Sequence, residues 1–314
     1  MRSPRAPDER PRKHAAVVAL EGAGAVALLR GPPWRVARRL AVPAGPHNVA
    51  VSRDGRWAAV SSPPADRVTI LDLPRARAVT SARVAGGPHD VSFTRDGAAV
   101  WVSAERAGRV VKLSVPSARV LSARGTAAPP HDLRVTPDGR RLWITLDGSS
   151  AVEVRAARRG RLLARPAPGG APHDLAFEPR SRRVWFSNWS SGALTVASTR
   201  TGRRLAAVAA GAEPHHFAFG LGCLWVSDND RGALVRIAPR SRRVRGATAV
   251  GPSPHHVAVA GRHVLVAVHG SGRVALVGRR GRRAGSLRVG AGPHGIAAAP
   301  AAPARGSREH CPPA

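Results

Sequence analysis

Tyrosine is absent from the 314 residues, while methionine, cysteine and lysine are rare, with one, two and two copies. Acidic residues are also few: 19 Asp and Glu stand against 50 Lys and Arg, which gives a formal net charge of +31. Nearly all of the basic residues are arginine, and with the surplus of Ala, Gly and Pro this is typical of GC-rich codon usage. A charge of this size also favours attraction to polyanions. Codon bias and a functional role of the charge both stay open.

The two cysteines do not predict a disulfide framework, because Cys223 lies in a predicted strand and Cys311 in a Pro-rich tail. Long apolar runs are lacking as well. The apolar run 15–20 follows a basic stretch, as in a signal peptide, but Glu21 interrupts it. No segment is long enough to cross a bilayer. We expect no signal peptide and no transmembrane segment, hence the cytoplasm by default, with an exported precursor if the start is misassigned.

Several catalytic signatures are missing from the sequence. It contains no Ser nucleophile elbow, no phosphate-cradling Gly-rich loop and no paired-cysteine metal spacing. The chemistry of the chain must therefore be sought in another pattern.

That pattern is the dipeptide Pro-His, which occurs seven times with gaps of 42, 42, 42, 42, 40 and 39 residues between successive histidines. A fixed period near 40 residues is the signature of a repeat architecture. The copies are Pro46-His47, Pro88-His89, Pro130-His131, Pro172-His173, Pro214-His215, Pro254-His255 and Pro293-His294.

The unit that starts at Pro88-His89 shows the secondary structure of one repeat. Alternating or apolar stretches predict short strands at 90–94, 99–103, 110–115 and 120–122, separated by turn signals such as Asp96-Gly97. Four short antiparallel strands per period of about 40 residues are typical of a β-propeller blade. The tryptophans in the second strands, such as Trp101 and Trp143, are expected to pack between blades.

The two ends of the chain complete one blade. Val18 lies 29 residues before His47, as Val102 lies 29 residues before His131, so residues 15–45 supply the later strands of a blade that lacks its first strand. That strand is predicted at 293–300. The sequence therefore predicts an all-β, seven-bladed β-propeller over 15–300, with four antiparallel strands per blade and a composite closing blade that removes free sheet edges. Residues 1–14 and 301–314 are expected to be disordered tails.

The repeat resembles the YVTN or YncE-like repeat and the related streptogramin (virginiamycin B) lyase propellers. The resemblance rests on the pattern Pro-His-x-Val/Leu-x₅-Asp-Gly-x₃-Trp-Val-Ser and covers residues 15–300. The lyases use a Pro-His histidine as base, together with a Glu three residues after the second-strand Trp and a magnesium ion that takes part in the reaction. Of the residues at that spacing only Asp228 is a carboxylate, so the resemblance implies His215 or His255 as base and Asp228 as acid or metal ligand.

Strand alternation assigns each connection to one of two faces. The Pro-His segments share a face, here called the His face, with the second-to-third turns, and the seven histidines are expected to ring the channel mouth there. The opposite face, here called the Arg face, receives the first-to-second and third-to-fourth turns, which are rich in arginines such as Arg53, Arg95 and Arg140. These arginines are expected to form either a solvated surface or a polyanion site.

Two interpretations of the histidine ring are open. In the structural one, each imidazole bonds a neighbouring backbone group; in the functional one, the ring binds a divalent ion or an anion. The pattern is broken where His216 and His256 replace the usual Asp or Asn, so the blades around 215–270 are the best site candidate. The residues predicted to bind a ligand are His47, His89, His131, His173, His294, His216, His256, Trp189 and Glu105, and those predicted to bind a metal such as magnesium are His215, Asp228 and His269.

The leading functional prediction is a YncE-like binding module, expected to be a monomer, with a small-molecule or metal site on the His face over the channel. One alternative is a metal-assisted lyase of the streptogramin type. Another is a scaffold that binds an anionic polymer through the Arg face.

Overall fold

The computed structural model describes residues 16–179, 181–298 and 310–312. The tails predicted for 1–14 and for most of 301–314 lie outside these residues. The described chain forms seven four-stranded antiparallel sheets arranged as the blades of a β-propeller, as predicted. No helix within these ranges is long and apolar enough to cross a membrane.

Each blade takes its four strands from the axis outward. The blades are, in chain order, β1 (Ala16–Leu20), β2 (Ala25–Arg30) and β3 (Arg35–Ala41); β4 (Val49–Val51), β5 (Trp57–Ser62), β6 (Arg67–Asp72) and β7 (Arg77–Arg83); β8 (Pro88–Phe93), β9 (Ala99–Ala104), β10 (Arg109–Ser114) and β11 (Val120–Gly125); β12 (Pro130–Val135), β13 (Arg141–Leu146), β14 (Val152–Ala156) and β15 (Leu162–Ala164); β16 (Pro172–Phe177), β17 (Arg183–Asn188), β18 (Ala193–Ser198) and β19 (Arg204–Ala209); β20 (Pro214–Gly220), β21 (Cys223–Asp228), β22 (Ala233–Ala238) and β23 (Arg243–Ala249); β24 (Pro254–Ala260), β25 (His263–Val268), β26 (Arg273–Gly278) and β27 (Arg283–Arg288). The closing strand β28 (Pro293–Ala298) belongs to the first blade. Short 3₁₀ turns at Glu21–Ala23, Pro63–Ala65, Trp189–Ser191 and His269–Ser271 join second to third strands on the His face.

The core lies between adjacent blades. Every residue of the second strand β9 is buried, whereas the outermost strand β11 is mostly exposed. Trp101, Trp143, Trp185 and Trp225 are almost completely buried between blades, as the sequence predicts.

The ring closes through the composite blade. Strand β28 pairs antiparallel with β1, with Val18 opposite Ile296, and β1 continues to β2 and β3. No edge of an inner strand is left open at the joint, because the C-terminal strand supplies the missing innermost strand.

The inner strands begin earlier than the sequence indicates. In six blades the Pro-His dipeptide itself opens the strand, as at Pro88 in β8, rather than lying in the preceding loop. Proline fits the first position of a strand because no ladder hydrogen bond is required of its nitrogen there. The histidine that follows is therefore held by regular strand geometry beside the axis.

The cysteine pairing differs from the sequence-based expectation. Cys223 in β21 and Cys311 form a disulfide across 88 residues. Cys311 packs against the apolar cluster that surrounds Cys223 and Trp225. The expectation of no disulfide is therefore wrong, because a residue far along the chain lies against this blade.

Candidate functional site

The seven Pro-His imidazoles form a closed ring around the channel. Each contacts its two neighbours, and the centroids of adjacent rings are 3.7–4.8 Å apart. The ring runs through His47, His89, His131, His173, His215, His255 and His294, which are the seven histidines that the repeat brings together.

The backbone carbonyls of three ring histidines, His89, His131 and His173, are each tied to the neighbouring blade by a hydroxyl. Ser103 in β9 accepts a hydrogen bond from the backbone N–H of Asp90 at 2.8 Å and donates to the carbonyl of His131 at 2.6 Å. Ser61 and Thr145 make the same pair of contacts in their blades. In these three blades the hydroxyl bridge holds the backbone of the histidine and leaves its imidazole uncommitted.

The ring nitrogens are not used by the fold in the way that the structural interpretation requires. No ring histidine is hydrogen-bonded to backbone through its imidazole in the described residues, and the buried Nδ1 atoms of six of them have no hydrogen-bond partner. The six are His89, His131, His173, His215, His255 and His294. Because buried polar atoms are normally paired, this concentration points to a ligand.

A second layer lies directly below the ring, formed by the residue that follows each ring histidine. It is polar in six blades: Asn48, Asp90, Asp132, Asp174, His216 and His256, with Gly295 in the seventh. His216 and His256 stack on each other with centroids 3.5 Å apart. The channel therefore places imidazoles above a layer of carboxylates and further imidazoles.

Asp132 is the pivotal residue of this layer. Its carboxylate is fully buried, and neither oxygen has a hydrogen-bond partner. Oδ1 lies 3.6 Å from Nδ1 of both His89 and His131, and Oδ2 lies 3.8 Å from Nδ1 of His216. Burial, reinforced by the charges of Asp90 and Asp174, raises the pKa of Asp132 well above its usual range. A cation beside this carboxylate would relieve that penalty.

Arg134 provides the one positive side chain at its level of the channel. The equivalent position is Ala or Ser in the other six repeats. Its guanidinium lies 2.7 Å from Asp90 and 3.5 Å from Asp174, so it neutralises one side of the second layer. Asp132 forms no such close pair with Arg134, and the charge of the guanidinium only partly offsets the burial of its carboxylate.

Four groups of residues within the described ranges could hold a metal ion, each with three ligand atoms within 4.8 Å of one another. The groups are His89, His131 and Asp132; Asp132, Asp174 and His216; His173, His215 and His216; and Glu21, His47 and His294. Imidazole nitrogens are the majority of the donors in three of these groups, whereas the group of Asp132, Asp174 and His216 has two carboxylates. The three imidazole-rich groups fit a borderline first-row transition metal better than the magnesium ion that the lyase resemblance implies, because magnesium prefers oxygen ligands.

Asp228 does not join the ring. It is fully buried at the end of β21, where its carboxylate accepts backbone N–H groups of Ala212 at 3.0 Å and Glu213 at 3.1 Å. It therefore caps the loop that leads into its own blade. The set of His215, Asp228 and His269 that the sequence predicts as metal ligands is not among the four groups above.

The rim of the His face carries the remaining predicted residues. The indole of Trp189 is 44% exposed, and its ring centroid lies 5.2 Å from those of both His173 and His215. Glu21 bridges His47 at 3.4 Å and His269 at 3.3 Å. Glu105 is partly buried, and burial together with the charge of Asp147 raises its pKa. Glu21 and Glu105 therefore place acidic side chains beside this mouth of the channel.

Burial also affects the imidazoles themselves. It lowers the pKa of His131 and His255 to about 4 and that of His215 to about 3. The neutral imidazole is therefore the stable form at neutral pH, and it is the form that binds metals.

The roles of Asp132 and Arg134 are missed by reasoning from sequence alone. The available signal for Arg134 is a single Arg at a position occupied by Ala or Ser in every other unit. Asp132 carries no such signal, because Asp90 and Asp174 occupy the same place in their repeats. Its distinction comes from which neighbours the blades bring to it.

Comparison with known proteins supports the architecture. No protein-family model and no curated protein matches the chain. Among solved structures, a functionally unknown protein of Desulfotomaculum acetoxidans has a TM-score of 0.78 and 13% identity, covering 91% of this chain and 99% of that one. The periplasmic gluconolactonase of Pseudomonas aeruginosa has a TM-score of 0.75 and 20% identity, and the match covers 91% of this chain and 99% of that one. Hydrazine synthase of Kuenenia stuttgartiensis has a TM-score of 0.72 and 15% identity, and the match covers 81% of this chain and 89% of that one. At these identities the similarities show the fold, a seven-bladed β-propeller.

Proposed function

We propose that this propeller binds a divalent transition-metal ion in its central channel, with His89, His131 and Asp132 as ligands. The observation that carries the proposal is the Asp132 carboxylate, which is fully buried without a hydrogen bond and lies 3.6 Å from two unpartnered imidazole nitrogens. A metal ion would satisfy all three groups at once.

The spacing of the donor atoms supports this assignment. Ligands at about 2.0–2.2 Å from a tetrahedral zinc ion lie about 3.4 Å apart. The two distances of 3.6 Å from Asp132 are close to that value. Two imidazoles and one carboxylate leave a coordination position open for water or another ligand, as in catalytic rather than structural sites.

The surroundings of the site favour one ion over several. The adjoining group of Asp132, Asp174 and His216 is already partly neutralised by Arg134, which lies 3.5 Å from Asp174. A second cation there would have to compete with the guanidinium. We therefore expect one tightly bound ion per chain, and weaker binding at the other groups.

The path of entry agrees with the same proposal. The His-face mouth presents Glu21 and Glu105 near the ring, whereas the opposite mouth is lined by arginines. The local field of these carboxylates would favour the entry of a cation from the His face rather than from the Arg face. The lyase alternative lacks comparable support, because Asp228, its only candidate acid, is engaged by loop backbone.

Cobalt(II) titration of the metal-stripped protein tests the proposal, because cobalt bound by nitrogen and oxygen ligands in a four- or five-coordinate site absorbs in the visible range. We expect a saturable absorption band at one equivalent, displaced by zinc. Asp132→Asn should weaken binding by at least about 10- to 100-fold, which is the loss that partners of the ligands alone cause, because Asp132 is proposed to bind the ion directly. The matched control is Asp138→Asn, which alters a turn aspartate of the same blade that bonds Thr136. Equal cobalt binding by Asp132→Asn and the wild type would overturn the assignment.

A further inference from the structure

The channel opens on the Arg face into a cavity of about 630 Å³, on the side of the second layer away from the histidine ring. Its volume is in the range of small-molecule sites. Val91, Phe93, Phe217 and Ile296 are among the apolar side chains of its wall. The seven ring histidines do not line it, so it is a different compartment from the metal site proposed above.

The charged groups of the cavity are arranged by depth. Arg53 and Arg95 belong to first-to-second turns at the mouth, and both are exposed. Arg134 lies deeper, with Asp90 and Asp174 beside it. The two exposed arginines and the Arg-rich turns around them make the mouth cationic, whereas at depth Arg134 offsets part of the charge of the two aspartates.

Two polar groups in the cavity have capacity left for a ligand. The Arg134 side chain is 31% exposed although its Nη1 is bonded to Asp90. The imidazole of His256 is more than nine-tenths buried, and its Nε2 has no hydrogen-bond partner. A buried, unpartnered nitrogen beside a guanidinium is the polar end of a site that lacks its ligand.

Two of the three hydroxyl groups in the cavity wall donate to turn aspartates, and the third, that of Ser92, accepts the backbone N–H of Val135. Thr94 donates its hydroxyl to Asp96, and Thr136 donates to Asp138, both within turns. A sugar would therefore find few partners for its hydroxyl groups. An apolar body with one anionic group matches the wall and the free donors better.

We propose that this cavity binds a small organic anion, a carboxylate on an apolar body. The carboxylate lies between Arg134 and His256, the apolar body contacts Phe93 and Phe217, and Arg53 and Arg95 attract the anion to the mouth. This site is separate from the metal site, and neither needs the other. The protein would thus receive a cation at one mouth of its channel and an anion at the other.

Fluorine NMR with 4-fluorophenylacetate as the probe tests this site, on protein stripped of metal. We expect saturable broadening and a shift of the probe signal. The neutral analogue 4-fluorophenylacetamide should bind about tenfold more weakly or worse, because charge-assisted hydrogen bonds are about twice as strong as neutral ones. Equal affinity for the acid and the amide would overturn the proposal.

Two further variants locate the binding. Ala50→Phe places a larger side chain in the cavity and should abolish binding. This variant keeps all the surface arginines, so a loss of binding would have to come from the cavity itself. The double variant Arg53→Gln/Arg95→Gln should weaken binding several-fold at low salt and less at high salt, because exposed charges are screened. Arg240→Gln, an exposed arginine in a third-to-fourth turn, is the matched control and should leave binding unchanged. Unaltered binding by Ala50→Phe would place the anion on the outer surface and refute the site.

Discussion

Oδ1 of Asp132 lies 3.6 Å from Nδ1 of His131, the residue that precedes it, and neither atom has a hydrogen-bond partner. Alternation along a strand would normally send these two side chains in opposite directions. Here the irregular start of β12, where the pairing register shifts between Pro130 and Leu133, accompanies their approach. A local departure from strand regularity thus assembles the proposed ligands.

The metal-free protein should lose stability as the pH falls from about 7 to about 5. An unfolded histidine has a pKa of about 6.5, whereas burial lowers the pKa of His215 to about 3 and that of His255 to about 4. Between these values the unfolded state binds more protons, so stability declines as the pH drops through 6.5. The raised pKa values of Asp132, Asp174, Glu105 and Glu213 act in the opposite direction, but in the described residues eight imidazoles have a lowered pKa against these four carboxyls with a raised one.

Urea unfolding across this pH range, in the presence of a chelator, measures the effect. His255→Gln should flatten the pH dependence. His263→Gln is the control, because the His263 ring lies against Trp34 outside the channel. A midpoint that does not move between the two pH values would contradict the burial of neutral imidazoles.

Replacing Arg134 by methionine should destabilise the metal-free protein by about 1–3 kcal/mol, less than the cost of breaking a fully buried ion pair, because the Arg134 side chain is 31% exposed. The change removes the guanidinium that lies 2.7 Å from the carboxylate of Asp90 and 3.5 Å from that of Asp174. Zinc should then restore stability more strongly than in the wild type, because a second ion can occupy the group of Asp132, Asp174 and His216.

Thermal unfolding with and without zinc checks this expectation. Arg231→Met removes an exposed arginine 3.9 Å from Asp228 and should change stability by less than about 1 kcal/mol. If zinc raised the unfolding temperature of Arg134→Met and of the wild type equally, the competition between guanidinium and metal would be refuted.

The hydroxyl bridge between blades should matter for stability. Ser103→Ala leaves the backbone N–H of Asp90 without its acceptor and the carbonyl of His131 without one donor. The expected cost is about 1–3 kcal/mol of the free energy of unfolding. Ser117→Ala, which removes an exposed hydroxyl, is the matched control. Chemical denaturation compares the two, and coincident curves would argue against a structural role of the bridge.

Reducing the disulfide should lower the free energy of unfolding by about 2–4 kcal/mol. The bond between Cys223 and Cys311 closes a long loop of the unfolded chain. Cys311→Ser without reductant should match the reduced wild type, and reductant should have no further effect on the variant. Equal stability of oxidised and reduced wild type would contradict this account.

The sequence specifies the fold through its repeats. The Pro-His spacing counts the blades, and the position of Val18 relative to His47 places the N-terminal strands in the closing blade, where β28 pairs with β1. Register within a blade is a local property, so it can be read from one chain segment at a time. The pairing of Cys311 with Cys223 escapes such reasoning because Cys311 lies in the C-terminal segment outside the repeats, whose position the repeat pattern does not fix.

The site is only partly accessible to the same reasoning. The ring of imidazoles follows from the repeat, but the side-chain directions do not. Asp228 illustrates the difficulty, because its spacing from Trp225 suits a catalytic acid while its carboxylate turns to the backbone of Ala212. Asp132 gains its role from His89, which belongs to the neighbouring blade, and contacts between blades leave no pattern in the sequence.

X-ray diffraction at the zinc absorption edge, on crystals of the zinc-loaded protein, tests the central claim most directly. We predict one dominant anomalous peak in the channel, about 2.0–2.2 Å from Nδ1 of His89, Nδ1 of His131 and Oδ1 of Asp132. Crystals of Asp132→Asn should lack that peak or show it much weakened. A channel without anomalous density in the zinc-loaded wild type, or a dominant peak that Asp132 does not touch, would contradict the account.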